Sequence, residues 1–70
     1  MAGTVLLEVA DGVATLTLNR PQALNALSVE MMEDLAETTR ALAGRSDFTV
    51  VVIKGAGEHF MAGGDLKDFA

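Results

Sequence analysis

Residues 55–67 read GAGEHFMAGGDLK, a glycine-rich segment that follows an apolar strand and leads into a helix start at Asp65. Glycines permit positive φ angles and let another molecule approach the main chain closely. Asp65 is placed to cap the free amides of the following helix. Backbone N–H groups in such a setting can donate to an oxygen that carries or acquires negative charge. The segment therefore indicates either a site for such an oxygen or a tight strand-to-helix connection without a ligand.

Glycines between a strand and a helix are also typical of nucleotide-binding loops. Gly55 and Gly57 begin the dinucleotide pattern GxGxxG, but Phe60 occupies the position of its third glycine. No Gly-Lys-Ser/Thr sequence follows any glycine, as a phosphate-binding loop would require. The sequence therefore disfavours a nucleotide site.

Composition excludes several function classes. The chain has 70 residues, a net charge of −5, one histidine and no cysteine. A negative chain is poorly suited to nonspecific binding of nucleic acid or anionic membranes. One histidine without cysteine makes no convincing transition-metal site, so we expect no metal or redox cofactor. No targeting segment precedes the first strand and no apolar run approaches the roughly 20 residues that cross a bilayer. We therefore expect a soluble, cytoplasmic chain.

The segments upstream of residue 55 predict a hairpin and a further strand. Val5–Val9 and Val13–Leu18 are β-type runs joined by Ala10-Asp11-Gly12, and a short Asp-Gly link favours a hairpin. Phe48–Ile53 is a continuous apolar run, typical of a strand covered on both faces. Seventy residues cannot easily cover such a strand twice. We therefore interpret residues 1–70 as an incomplete amino-terminal segment of one domain, and expect the isolated chain to be aggregated, oligomeric or partly ordered.

A helix is predicted between the hairpin and the last strand. Ser28 is the expected N-cap and Gly44 the expected stop. Glu33 and Glu37 repel each other at i,i+4 spacing and belong on the exposed face. The predicted apolar stripe comprises Met32, Leu35, Thr39 and Leu42, widened by Met31 and Ala36.

Other polar residues have simple structural explanations. His59 has no sequence neighbour that would orient it as a general base, so a solvated loop histidine is favoured, and Glu58 lies in the same turn. Asp65 and Asp68 are better explained as helix-start carboxylates than as an acid-base pair. The cations placed to meet an anion are Arg20, Lys54 and Lys67.

Three stretches together resemble the amino-terminal part of the crotonase superfamily, the enoyl-CoA hydratase/isomerase proteins. They are NRPQALNALS at residues 19–28, VVVI at residues 50–53 and the glycine-rich segment at residues 55–67. The resemblance covers essentially the whole chain. It implies an α/β fold that starts a spiral of ββα units, with a hairpin, a helix, a buried strand, an oxyanion loop and a helix start.

The resemblance also implies a site. Gly64, the residue before Asp65, would supply one backbone N–H of an oxyanion hole for a thioester oxygen. The residues implied to lie along an acyl-CoA are Ala23, Leu24, Ala26, Ala62, Gly64, Asp65, Leu66 and Lys67. Arg20 is a weaker candidate for a phosphate contact. Coenzyme A enters as part of the substrate, and no separate cofactor is implied.

The second oxyanion amide and the catalytic carboxylates of the family lie beyond residue 70. A full-length parent would therefore be an acyl-CoA enzyme, with hydration as the default reaction and isomerisation or thioester hydrolysis left open. It would be a trimer or a dimer of trimers. The isolated 70 residues are expected to lack hydratase activity. The alternative is a noncatalytic interaction module that pairs through its exposed apolar strand and helix face.

Overall fold

In a computed structural model, residues 3–61 are described. They form a mixed three-stranded sheet with one helix against one face. The elements are β1 (Val5–Ala10), β2 (Gly12–Leu18), α1 (Val29–Ala43) and β3 (Phe48–Gly55). Strand β2 lies between an antiparallel β1 and a parallel β3. The order of hairpin, helix and strand confirms the predicted α/β class.

The hairpin turns at Asp11 and Gly12. Both residues have positive φ, 53° and 79°, as the favoured two-residue hairpin turns require. The strands pair from Ala10 opposite Val13 to Val5 opposite Leu18. The Asp-Gly signal therefore predicted the hairpin, and the structure extends β1 by one residue to Ala10, which leaves Asp11 and Gly12 as the turn.

Alternation along the hairpin directs one set of side chains to the core. Ala14, Leu16 and Leu18 of β2 are buried, whereas the side chains between them are only partly covered. On β1, alternate side chains pack against the same core, together with side chains from α1 and β3. This surrounding set comprises Val5, Leu7, Val9, Leu35 and Phe48.

Helix α1 begins and ends where the sequence predicts. The Ser28 hydroxyl oxygen accepts from the Met31 N–H at 3.1 Å, and Gly44 follows the last helical residue. The predicted apolar stripe is partly wrong. Met32, Ala36 and Thr39 are exposed, and the covered face comprises Met31, Leu35, Thr38 and Leu42.

The covered residues of α1 recur at helical spacing, as predicted. Two of them, Met31 and Thr38, come one residue before the predicted Met32 and Thr39. Thr38 can occupy this half-covered face because its hydroxyl donates to the Asp34 carbonyl one turn back, at 2.7 Å.

Within residues 3–61, no helix is long and apolar enough to cross a membrane.

Asp34 fastens the start of the chain to α1. Its carboxylate accepts from the Thr4 hydroxyl at 2.7 Å and from the Thr4 N–H at 3.0 Å. These hydrogen bonds, the side-chain bond first, hold the pKa of Asp34 below its usual value. Thr4 and Asp34 are 30 residues apart in the sequence, and no local pattern predicts their contact.

Strand β3 is open to solvent among the described residues. Its four central side chains, Val50–Ile53, are 42–52% exposed although they alternate between the two faces. The expected double covering is therefore not supplied by residues 3–61. Helix α1 contacts β1 of the hairpin. In the strand order β1-β2-β3, β3 is an edge strand of the described sheet.

Candidate functional site

Two connecting segments meet at the end of the sheet where the carboxyl ends of β2 and β3 lie. Because these strands are parallel, with Leu18 opposite Gly55, their carboxyl ends lie side by side. The Ala56 N–H donates to the Leu18 carbonyl at 2.8 Å. We call the loop at residues 19–26 and the turn at residues 55–60 together the junction. Carboxyl ends of parallel strands are the usual place for ligands in α/β sheets.

The loop of the junction is folded by its own main chain. Pro21–Ala23 forms a 3-10 turn, and the N–H groups of Ala23 and Asn25 both donate to the Arg20 carbonyl, at 3.0 and 2.8 Å. Leu24 and Asn25 have φ of 55° and 56°, in the left-handed region that asparagine tolerates better than leucine. The Leu24 side chain is directed outward and is 47% exposed.

Asn25 connects the loop to the turn. Its side chain is completely buried, and its Oδ1 accepts from the Arg20 N–H at 2.7 Å. Its Nδ2 donates to the Ala56 carbonyl at 2.9 Å and to the His59 carbonyl at 2.6 Å. One carboxamide therefore closes its own loop and binds main chain more than 30 residues away.

Glycine is required twice in the turn. A Cβ added at Gly55 would overlap the His59 carbonyl oxygen and lie 2.7 Å from Nδ2 of Asn25, so the close approach depends on its absence. Gly57 has a φ of 80°, and a Cβ there would lie 3.1 Å from Cβ of Pro21. The close packing expected of these glycines is thus internal, between turn and loop.

The basic residues of the region differ in their contacts. Arg20 is half-buried, and its Nη1 donates to the Ala26 carbonyl at 2.7 Å, so its guanidinium helps hold the loop. Lys54 is exposed near the end of β3.

The structure places three of the predicted ligand-contacting residues in one loop. Ala23 and Ala26 are half-buried, and Leu24 lies exposed between them. Their N–H groups all donate within the loop, Leu24 to Pro21 and Ala26 to Ala23. Side chains and carbonyl oxygens are therefore the groups with which this loop can meet a ligand. The other predicted site residues lie outside the described residues: Ala62, Gly64, Asp65, Leu66 and Lys67, with Asp68.

The polar side chains of the turn form no catalytic cluster. His59 and Glu58 are exposed, and within residues 3–61 no hydrogen bond orients the imidazole. The same part of the chain contains no group of three or more residues of metal-ligating type. A solvated loop histidine, as predicted, fits this position.

Asn25 is the residue whose importance the sequence analysis missed. In the sequence it stands inside the stretch NRPQALNALS, which carries the family resemblance as a whole. Its signal is an asparagine enclosed by apolar residues just after a proline turn, where a buried polar side chain must find hydrogen-bond partners.

Comparison with known proteins assigns the chain to a family. Residues 13–70 match the family model described as enoyl-CoA hydratase/isomerase. A probable enoyl-CoA hydratase of Mycobacterium tuberculosis is 39% identical over 67 residues, which cover 96% of this chain and 26% of that protein. The mitochondrial 3-hydroxyisobutyryl-CoA hydrolase of Gallus gallus is 40% identical over 70 residues, or 99% of this chain and 18% of the hydrolase.

Solved structures agree with this assignment. The crystal structure of a probable enoyl-CoA hydratase/isomerase from Mycobacterium abscessus superposes with a TM-score of 0.88 and 43% sequence identity. The match covers 99% of this chain and 27% of that one. The chain therefore spans about a quarter of the hydratases that it matches. It belongs to the crotonase superfamily, in the enoyl-CoA hydratase/isomerase family.

Proposed function

We propose that the chain forms part of an acyl-CoA thioester site in a crotonase-type enzyme and supplies one oxyanion-hole donor, the Gly64 N–H. The observation that carries the proposal is the junction. It holds the loop containing Ala23, Leu24 and Ala26 against the turn from which the chain continues into residues 62–67. The loop and the turn that leads into residues 62–67 are therefore held together, and the family resemblance implies ligand contacts for both the loop and residues 62–67.

The loop contributes contacts of a particular kind. The N–H groups of Ala23, Leu24 and Ala26 donate within the loop, so Leu24 offers an apolar side chain. The carbonyls of Ala23 and Ala26 accept within the loop as well, but a carbonyl oxygen has two lone pairs and can accept a second hydrogen bond from a ligand. Coenzyme A has both apolar stretches and N–H donors along its length, and these groups match such a surface. The phosphates of coenzyme A need cations instead, and the candidates are Lys54 and Lys67. Arg20 is a weaker candidate because its guanidinium donates to the Ala26 carbonyl.

The proposed chemistry is stabilisation of charge on the thioester carbonyl oxygen. Enolate and tetrahedral intermediates both place negative charge on that oxygen. A fixed N–H donor lowers the barrier, and loss of one such donor costs about 3 to 4 kcal/mol. Glycine at position 64 has no side chain that could obstruct the approach of a ligand to its amide. Ala62, Asp65, Leu66 and Lys67 complete the proposed ligand contacts.

The reaction type depends on residues outside this segment. No oriented acid or base lies among residues 3–61, and the relatives named above include a hydratase and a hydrolase. We propose hydration of a 2-enoyl-CoA as the default, in a polypeptide that supplies the second amide and the catalytic carboxylates and assembles as a trimer or a dimer of trimers. Residues 1–70 alone should have no hydratase activity.

Substitution at position 64 tests the oxyanion role. In the native polypeptide at its full natural length, Gly64→Pro removes the N–H and should lower kcat for a short enoyl-CoA by about a hundredfold or more. Gly64→Ala keeps the N–H and is the matched variant; its kcat should fall far less. Circular dichroism checks that both variants fold. Equal kcat values for folded Gly64→Pro and wild type would remove Gly64 from the mechanism.

The exposed strand favours one second candidate, a noncatalytic interaction module. Val50–Ile53 are about half exposed on β3, an edge strand of the sheet that residues 3–61 form, and edge strands pair readily with another chain. Intact mass of the native protein, size-exclusion chromatography and acyl-CoA titration separate the two candidates. A native chain of 70 residues that associates, binds no acyl-CoA and becomes monomeric with Val52→Lys would favour the interaction module.

A further inference from the structure

We infer that Asn25 is a positioning residue for the acyl-CoA site: its carboxamide fixes the turn from which the chain enters residues 62–67. The inference rests on the proposed function, because it concerns the same site. Asn25 need not touch the ligand. It acts through the carbonyl groups of Ala56 and His59, which it holds at hydrogen-bonding distance.

The chemistry of the position is specific for a carboxamide. The buried side chain must accept one hydrogen bond, from Arg20, and donate two, to Ala56 and His59. An ionised aspartate can accept but not donate, and serine has a single O–H. Glutamine offers the same groups on a longer side chain, which would not reach the same three atoms from this backbone.

The backbone at Asn25 narrows the choice further. Its φ of 56° lies in the left-handed region, which glycine enters freely and which asparagine and aspartate enter more readily than other residues. Asparagine therefore satisfies the backbone and the three hydrogen bonds together. Glycine satisfies only the backbone, which makes Asn25→Gly a variant that removes the hydrogen bonds without adding strain.

The anchor is close to the proposed site along the chain. Only Phe60 and Met61 separate His59 from Ala62, and an extended residue spans about 3.5 Å, so the His59 carbonyl limits where the next segment starts. Misplacement of a site by about 1 Å can cost a hundredfold in rate. Release of this carbonyl should therefore affect binding and turnover more than it affects the rest of the fold.

The test compares four variants of the native polypeptide at its full natural length. Asn25→Gly removes all three side-chain bonds, and Asn25→Asp is isosteric but loses both donors. Leu42→Ala weakens the core on α1, and Gln22→Ala changes an exposed side chain of the same loop. For each variant, amide hydrogen exchange at residues 56–61, the Kd for a short enoyl-CoA and kcat/KM are measured under conditions in which the protein is folded.

We expect Asn25→Gly to speed exchange at residues 56–61 and to weaken acyl-CoA binding at least tenfold. Leu42→Ala should lower the melting temperature with a change in Kd of less than twofold, and Gln22→Ala should resemble wild type. Asn25→Asp should bind weakly at pH 7 and recover partly at lower pH, because the protonated acid regains one donor. Its Kd is compared with wild type at each pH, so that titration of Glu58, His59 and the ligand cancels.

Three results would each overturn a different part of this account. If wild type binds acyl-CoA and folded Asn25→Gly binds it equally well, the positioning role is wrong and the proposed function stands. If Leu42→Ala weakens binding as much as Asn25→Gly at equal stability, Asn25 has only a structural role. If wild type itself binds no acyl-CoA, the proposed function fails.

Discussion

The core beneath α1 and the junction are stabilised in opposite ways. The core consists of apolar side chains from all three strands and α1, with Ala14, Leu16 and Leu42 buried at its centre. The junction contains one buried polar side chain, Asn25, and main-chain groups that pack where glycine leaves space. Apolar packing tolerates changes of similar size, whereas the junction depends on individual donors and acceptors.

This difference predicts that damage to the two regions will be separable. Loss of core packing should lower the stability of the whole fold, because the buried side chains come from several elements. Loss of a junction contact should first release the turn, because few apolar contacts hold it. The variants below compare the two regions in the native polypeptide, from the largest expected effect to the smallest.

The largest effect is expected in the core. Leu16→Ala removes a side chain that is only 2% exposed and should destabilise the fold by about 2 to 5 kcal/mol, through lost burial and the cavity left behind. Urea unfolding followed by circular dichroism measures the change. Leu6→Ala, on the outer side of β1, is the control and should cost far less. Equal losses for the two variants would show that α1 does not cover this face.

A smaller and more local effect is expected in the junction. Gly55→Ala places a methyl group against the His59 carbonyl and Nδ2 of Asn25, and overpacking of this kind costs about 1 to 3 kcal/mol. Hydrogen exchange should quicken at residues 56–61 while α1 stays protected. Gly44→Ala is the matched control, because the nearest atom to its added Cβ lies at 3.9 Å. Uniform loss of protection in Gly55→Ala would show that the junction is not a separate unit.

The smallest effect concerns the hydrogen bonds between Thr4 and Asp34. These bonds hold the pKa of Asp34 below its usual value, so they stabilise the fold above that usual value, and the stabilisation is lost as pH falls through the lowered pKa. Asp34→Asn should therefore have a slightly lower melting temperature than wild type at pH 7. Between about pH 5 and pH 2, the melting temperature of Asp34→Asn should fall less than that of wild type. Glu37→Gln on the exposed face is the control. Identical pH profiles for Asp34→Asn and wild type would contradict the assignment.

Periodicity and capping predicted most of the scaffold. The Asp-Gly link predicted the hairpin, and Ser28 and Gly44 marked the ends of α1. These features are local, so neighbouring residues determine them. The prediction of the buried face of α1 was partly wrong because Met31 and Met32 are both apolar. Which of the two is buried depends on where the sheet lies, and in the structure it is Met31.

The junction could not be predicted in the same way. Asn25 and its partners Ala56 and His59 are separated by 31 and 34 residues, and no local pattern relates them. The resemblance to a family implies that both segments contact a ligand, but it gives no indication of the carboxamide that joins the loop to the turn. The exposure of β3 likewise depends on which surfaces meet it, which its apolar sequence alone does not determine.

The central claim is that Ala23, Leu24 and Ala26 and the segment at residues 62–67 contact one acyl-CoA. The most direct measurement is a titration of the ¹⁵N-labelled native polypeptide with a short enoyl-CoA, followed by amide chemical shifts. The account predicts that signals of residues 23–26 and 62–67 shift together and saturate with a single Kd, whereas those of exposed α1 residues do not. Shifts confined to β3, or separate Kd values for the two segments, would contradict it.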